Sequence, residues 1–501
     1  MTFKPRVLST AVLGALLLGS SLTAQAADQI SNAELLKLVR QQSVEIQALK
    51  QRLSRVEAHD QQVGVASAGA GATPLQQQEV QGRVEAQAAL DDTRSDELAL
   101  AKAQLAAGGG AATGGHSGNI RWGKGGEAGP TFSSDDGFFT FKPDGRLMVD
   151  FTGTKGSSYA ARNITGSHIA SGRLGGEGKI GAFGYHVEAE FSDNAVALHQ
   201  AYLSYTTNVA GNRTRFYVGN FLKDLGTEGS SDSARTPFML RNAPTQVAQP
   251  VNAYFGTGAQ MKMWGNNWHY SLSVSGDSPS SATNGDSPDS IVYLTRATWN
   301  PVKAGWGFIH TGAWYYYENI SRGIASINNV PKLALDYNGN LRVSGSSIAN
   351  PTQDRGKGFE LGGTYRNFWV MNEYGRQKID SSTADSVTRH GSSFAAGWMI
   401  TGEKPGFSAH SGTWQPVKVS SPVTSGGWGA FELAARVDHY DYHGAPRGGL
   451  GRSYTVGLNW YLNDWSRLMF DYVRWYSDNQ VGSEQGPDWG NSFGIRTQVV
   501  F

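Results

Sequence analysis

The 501 residues contain no cysteine, which excludes disulfide scaffolds, thiolate nucleophiles and thiolate metal sites. Charge is sparse as well: Lys, Arg, Asp and Glu make up 17% of the chain against 39% hydrophobic residues, lean for a soluble protein of this length. The formal net charge of +1 gives no electrostatic footprint for nucleic acid. Beyond the N-terminus no uninterrupted apolar run approaches the ~18 residues that a membrane-spanning helix requires. No Ser/His/Asp or paired-carboxylate arrangement stands out, so neither catalysis nor a cofactor is expected.

What is abundant points elsewhere. Glycine (64), Tyr (20), Phe (21) and Trp (14) favour many strands, tight turns and interfacial belts over helical packing. The opening "MTFKPRVLSTAVLGALLLGSSLTAQA" sets Lys4 and Arg6 before an apolar run that ends in Ala24-Gln25-Ala26. This is the pattern of a secretory signal peptide over residues 1–26. An exported chain without spanning helices is either soluble or enters a membrane as a barrel.

Residues 27–60 read as a short coiled coil in the periplasm. Val39, Ile46 and Leu53 take one seam position and Leu35, Leu49 and Val56 the other, with Asn32 and Gln42 as polar members. Residues 61–134 read as a Gly-, Ala- and Gln-rich linker that holds a second helical segment. From about Asp136 the period changes to two. In "SYTVGLNWYL", Tyr454, Val456, Leu458 and Trp460 alternate with Ser453, Thr455, Gly457 and Asn459. About sixteen such strands recur over residues 135–501 without a helical partner. They predict an antiparallel outer-membrane β-barrel with short turns at one end and long loops at the other. One stretch resists: residues 402–427 fall where a short turn belongs. The chain ends "SFGIRTQVVF", a strand expected to close the barrel, with Phe501 as the mark read by the barrel-insertion machinery.

Several segments then resemble the phosphate-selective porin O and P family. They are "DDGFFTF" (135–141), "GRLGGEGKIG" (172–181), "YVGNFLKDLGTEGSSDSARTPFMLRN" (217–242), "FELAARVDHYD" (431–441) and "LGRSYTVGLNWYLNDWSRLMFDYVRW" (450–475). The resemblance implies a homotrimer among outer-membrane lipids of a Gram-negative cell, with lumen cations that favour small anionic solutes. It also implies that residues 222–252 fold inward as a constriction loop. The leading coil resembles the dicarboxylate-porin branch. One departure bears on the solute. Where phosphate-selecting members carry a lysine and hydroxyl residues, this chain has Gly229, and Asp232 interrupts the serines Ser230, Ser231 and Ser233. Arg235 and Arg241 stand nearby as replacements.

Strand parity offers Arg146, Arg173, Lys179, Arg215, Lys262, Arg366, Arg436 and Arg467 as a ladder of pore-lining cations, with Arg296 ambiguous. Planar guanidinium forks suit carboxylate and phosphate. The competing expectation is that these cations pair with Glu177, Glu188, Glu190, Glu360, Glu432 and Asp438 and only satisfy the wall. "GEGKIG" at 176–181 fits a dinucleotide string but precedes a strand, whereas such a site needs a helix N-terminus. "HYDYH" at 439–443 offers His439, Asp441 and His443 to a metal, or places them at an external rim. A sugar-selective porin is the alternative function, with Trp264, Tyr217 and Tyr461 as candidates for an aromatic slide.

Overall fold

The computed structural model describes residues 119–122, 129–192, 196–251, 254–280, 287–328 and 330–501. The signal peptide, the coiled coil and residues 61–118 of the linker lie outside these residues. The last part of that linker is not irregular: it holds β1 (Asn119–Trp122) and β2 (Pro130–Ser133).

The chain continues through β3 (Phe139–Lys155), β4 (Thr165–Ile180), β5 (Phe183–Glu190), β6 (Ala197–Val209), β7 (Asn212–Leu222), β8 (Phe255–Trp264), β9 (Trp268–Ser275), β10 (Ile291–Ala304) and β11 (Gly307–Asn319). After the short β12 (Ser326–Ile327) and β13 (Ile348–Ala349) come β14 (Pro351–Tyr365), β15 (Phe368–Ser381), β16 (Val387–Met399), β17 (Ala430–Gly444), β18 (Leu450–Asn463), β19 (Ser466–Asn479) and β20 (Gly486–Val500). The main sheet has eighteen strands. In it β1 and β2 form an appendage, with β2 paired to the start of β3. The other sixteen each pair with their sequence neighbours in the sheet, and β20 returns to β3, closing an antiparallel barrel.

The closing pair of strands is held by backbone and side chain alike. Phe501 and Gly145 exchange both backbone hydrogen bonds at 2.9 Å. Arg496 on β20 forks onto both Asp150 oxygens on β3 at 2.7 Å. Pairing every edge satisfies the backbone groups that a bilayer could not.

The two faces invert the soluble pattern. On β18, Tyr454, Val456 and Leu458 are exposed, while Ser453, Thr455 and Asn459 are buried. Phe151, Leu174, Val218, Leu361 and Phe493 are likewise exposed around the outer wall. An apolar outside with a polar inside is stable only in lipid. Arg366 departs from its strand-parity expectation. It sits in the short turn between β14 and β15, exposed, at a positive φ of 55°, and stacks on the outward-facing Tyr365. A turn residue has no pleat to point it inward, so Arg366 leaves the ladder.

Candidate functional site

Three segments fill the lumen. The described residues between β7 and β8, 223–251 and 254, fold inward from the side of the long loops. Their short helix α1 (Ala243–Val247) is capped by Asn242, whose side chain accepts from Thr245 N at 3.1 Å, and Pro244 stands in its first turn. The helix lies on β15 and β16 where the wall has no side chains. A Cβ at Gly391 would come within 2.7 Å of the Ala243 backbone, and one at Gly375 within 2.9 Å of Ala248 Cβ. Glycine at these wall positions admits the helix.

The loop is fastened by carboxylates four residues apart. Asp224 accepts from Arg296 of β10 at 2.9 Å and lies 2.7 Å from His269 of β9. Glu228 lies 3.3 Å from Arg436 of β17 and accepts from Asn242 N at 2.6 Å. Asp232 accepts from Arg146 of β3 at 2.5 Å. The same short segment is therefore stapled to three different parts of the wall. The neighbouring Arg296 and His269 hold the Asp224 carboxyl well below its usual range against the opposing effect of burial. At Glu228 burial wins over Arg436, and its carboxyl is raised.

The second segment resolves the stretch that resisted a turn assignment. After β16, residues 400–429 enter the lumen from the opposite, short-turn end. Ser411 and Gly412 carbonyls accept from Arg296 at 3.0 and 2.8 Å, and Trp414 N donates to Ser231 Oγ at 2.8 Å. Trp414 packs edge-on against Trp369 with ring centres 4.7 Å apart, and Phe407 stacks on Phe308 at 5.8 Å. The third segment runs from β11 to β14. Its Leu333, Leu335, Leu341 and Val343 pack with Met239, Tyr440, Tyr442 and Trp475 inside the barrel. Both of these segments thus have apolar anchors within a polar lumen.

Most of the expected ladder is consumed by these fastenings and by the wall. Arg173 pairs with Glu188 and Glu190 at 2.9 and 2.8 Å, and Arg436 with Asp438 at 2.7 Å besides Glu228. The ambiguous Arg296 points inward, fully buried, and bridges Asp224 to Glu360, the latter at 2.7 Å. Arg215 donates to Thr206 at 2.9 Å and, with Lys262, lies over the Tyr217 ring. Lys179 stands exposed near the short-turn end of β4. Ser230 and Ser231 are buried, whereas Ser233 and Arg235 are half-buried.

Two guanidiniums differ from the paired ones. Arg241 donates to the carbonyls of Glu228 and Ser231 and lies over the Tyr254 ring. Arg467 donates to Thr236 O at 2.9 Å, to Gln498 Oε1 at 3.3 Å and to Tyr461 Oη at 3.4 Å. Among the described residues, neither lies within 4.0 Å of a carboxylate oxygen.

The remaining acids have local work: Glu177 lines a small cavity with Arg146, His186 and Glu188, and Glu432 accepts from Trp369, Asn459 and Tyr461. The three candidate slide aromatics are all buried and engaged. Trp264 meets His410, Tyr217 meets Tyr202, and Tyr461 donates to Glu432 at 2.7 Å. His443 and Asp441 do sit together at the outer end of β17, 3.0 Å apart, the first exposed and the second half-buried. Among the described residues no group of three or more His, Asp or Glu could hold a metal ion. Sequence reasoning missed the fastening roles of Asp224 and Glu228. It also missed Arg496, whose place opposite Asp150 follows only from the closing register.

A closed sixteen-stranded barrel, apolar outside and narrowed inside by polar, charge-bearing loops, defines an outer-membrane porin, a channel and not an enzyme. The profile of the family described as "Phosphate-selective porin O and P" matches residues 141–501, and the chain belongs to that family. Porin O of Pseudomonas aeruginosa is 24% identical over 407 residues, 74% of this chain and 90% of that one. An uncharacterized protein of Caulobacter vibrioides is 25% identical over 356 residues, 68% and 69% of the respective chains. Among solved structures, a loop-deletion mutant of OmpT, an outer membrane protein of Vibrio cholerae, aligns over 73% of this chain and all of its own, with 12% identity and a TM-score of 0.46.

Proposed function

We propose that this porin passes small organic anions, dicarboxylates foremost, by diffusion past the constriction loop at residues 222–252. The observation that carries the reading is the pair Arg241 and Arg467, whose guanidiniums donate to neutral oxygens inside the narrowed lumen. An anion entering this region exchanges part of its hydration for donors already in position.

Two features favour carboxylates over phosphate. A side chain at Gly229 would meet the Leu225 carbonyl, so the loop in this conformation has no room for a lysine there. Asp232 engages Arg146, so that cation is not offered to a phosphate ion beside the serines. We further infer a homotrimer among outer-membrane lipids of a Gram-negative cell, with the signal peptide removed and the leading coil in the periplasm. Phe501, paired both ways with Gly145, is the residue offered to the barrel-insertion machinery.

The test is single-channel recording in a planar bilayer with succinate, phosphate or a disaccharide added in turn. Succinate should interrupt the chloride current at lower concentration than phosphate. Interruption by the disaccharide alone would favour a sugar channel.

A further inference from the structure

The outer wall of the barrel carries positive charge on one side. At the long-loop ends of β14, β15, β18 and β19 six cations stand at outward positions: Arg355, Lys357, Arg376, Lys378, Arg452 and Arg474. They share the parity of exposed apolar neighbours, such as Phe359 and Leu361 on β14 or Phe470 and Tyr472 on β19. The register joins them into one surface. Arg355 stands opposite Lys378, Lys357 opposite Arg376, and Arg376 opposite His390, while His439 of β17 faces Arg452. Among the described residues, the outward faces of β4 to β11 hold no Lys or Arg in the same half. They hold no Asp or Glu there either, so a second copy has no matching carboxylates to offer from those strands.

The cations begin where the apolar band ends. Phe359 and Tyr374, stacked with ring centres 5.4 Å apart, form the next outward pair below Lys357 and Arg376. Tyr454 of β18 stands opposite Arg474. Aromatic side chains placed this way mark the headgroup level of a bilayer. Little of the charge is compensated within the chain. Asp380 serves Arg355 at 2.6 Å and Lys378 at 3.6 Å. Among the described residues, no carboxylate oxygen lies within 4.0 Å of Lys357, Arg376, Arg452 or Arg474.

We propose that this face of β14 to β19 binds the phosphate groups of a phosphorylated lipid in the outer leaflet, with the acyl chains lying along the apolar strand segments beneath. The assignment rests on the outer-membrane placement inferred above and is independent of the solute that the pore passes. Arg376, Arg452 and Arg474 present guanidinium forks that suit phosphate oxygens two at a time, and Lys357 adds a point charge beside Arg376. A lipid is the partner that meets both halves of the surface at once, anionic at the level of the cations and apolar immediately below.

The experiment is native mass spectrometry of the purified full-length mature protein in detergent, titrated with diphosphoryl lipid A, with the same lipid stripped of its phosphates, or with inorganic phosphate. Wild type should retain the diphosphoryl lipid and little of the stripped one. Lys357→Gln, Arg376→Gln, Arg452→Gln and Arg474→Gln combined should weaken that retention at least tenfold, since each Lys or Arg near an anionic surface contributes about fivefold. Arg366→Gln, which removes an exposed cation at the short-turn end, should leave it unchanged. Should the fourfold variant fail to insert, Lys357→Gln with Arg376→Gln alone gives the same test with a smaller loss. Equal retention by wild type and these variants, or equal retention of the stripped lipid, overturns the site. Inorganic phosphate held by the same residues makes the face a free-anion site, and an oligomer lost together with the cations makes it a contact between copies; each of these overturns the lipid assignment too. The reversal potential of the fourfold variant should match wild type, because these cations stand outside the pore, so the anion-channel reading and the lipid site fail separately.

Discussion

Arg146 on β3 donates to Asp232 at the tip of the constriction loop across 2.5 Å, with each side chain about 1% exposed. A wall cation and a loop carboxylate thus neutralise one another inside the barrel. The same carboxylate accepts from Ala234 N at 2.8 Å, so it is rigidly placed. Removing its charge without its shape should release the field of Arg146 into the lumen. Asp232→Asn is expected to raise the chloride-to-potassium permeability ratio by on the order of a factor of three, read from the reversal potential in a KCl gradient. An unchanged ratio would show that Arg146 is screened by other groups.

Arg296 joins the wall, the loop and the inserted segment. It bridges Asp224 and Glu360 and also donates to Ser411 and Gly412 carbonyls. Arg296→Met leaves both carboxylates buried without it, and breaking one buried pair costs about 3–5 kcal/mol. The variant should unfold in detergent at clearly lower temperature and denaturant concentration. Arg366→Gln, in an exposed turn, should stay within about 0.5 kcal/mol of wild type and leave selectivity unchanged. A selectivity change in Arg366→Gln would return that residue to the lumen.

Glu228 gives the channel a pH response of definite sign. Burial raises its carboxyl, so on acidification it takes up a proton before an ordinary glutamate does. Protonation removes one negative charge beside Arg436. Anion preference should therefore rise as pH falls toward the usual glutamate range, ~4.3, while Asp224, held well below its usual range, still fastens the loop. Glu228→Gln should show the higher preference already at neutral pH and lose the early part of the response. An identical pH profile in wild type and variant would refute this assignment.

The segment after β16 narrows the pore through Trp414, which touches Trp369 and donates to Ser231. Trp414→Ala removes the large apolar anchor and keeps the backbone. Single-channel conductance should rise and become noisier, with the barrel still resistant to detergent. Unaltered conductance would mean that the segment lies outside the conducting path.

The barrel was legible because a pleated strand repeats every two residues and a lipid-facing wall makes that repeat visible. About sixteen strands are expected and sixteen close the barrel, and the apolar set of β18 is the one that faces outward. Arg146, Arg173 and Arg436, assigned to the inner face by the same alternation, are buried. Legibility failed where no period exists. Arg366 sits in a turn, and residues 400–429 have no alternation to say that they enter the barrel. The three staples were hidden for a different reason. Asp224, Glu228 and Asp232 lie four apart on an irregular loop, and only three-dimensional closure brings β10, β17 and β3 around them.

The reversal potential of the wild-type channel under a KCl gradient tests the central claim most directly. Arg241 and Arg467, held by neutral oxygens, should make the pore prefer chloride, and succinate should reduce that current. A cation-preferring or unselective pore, untouched by succinate, would contradict it.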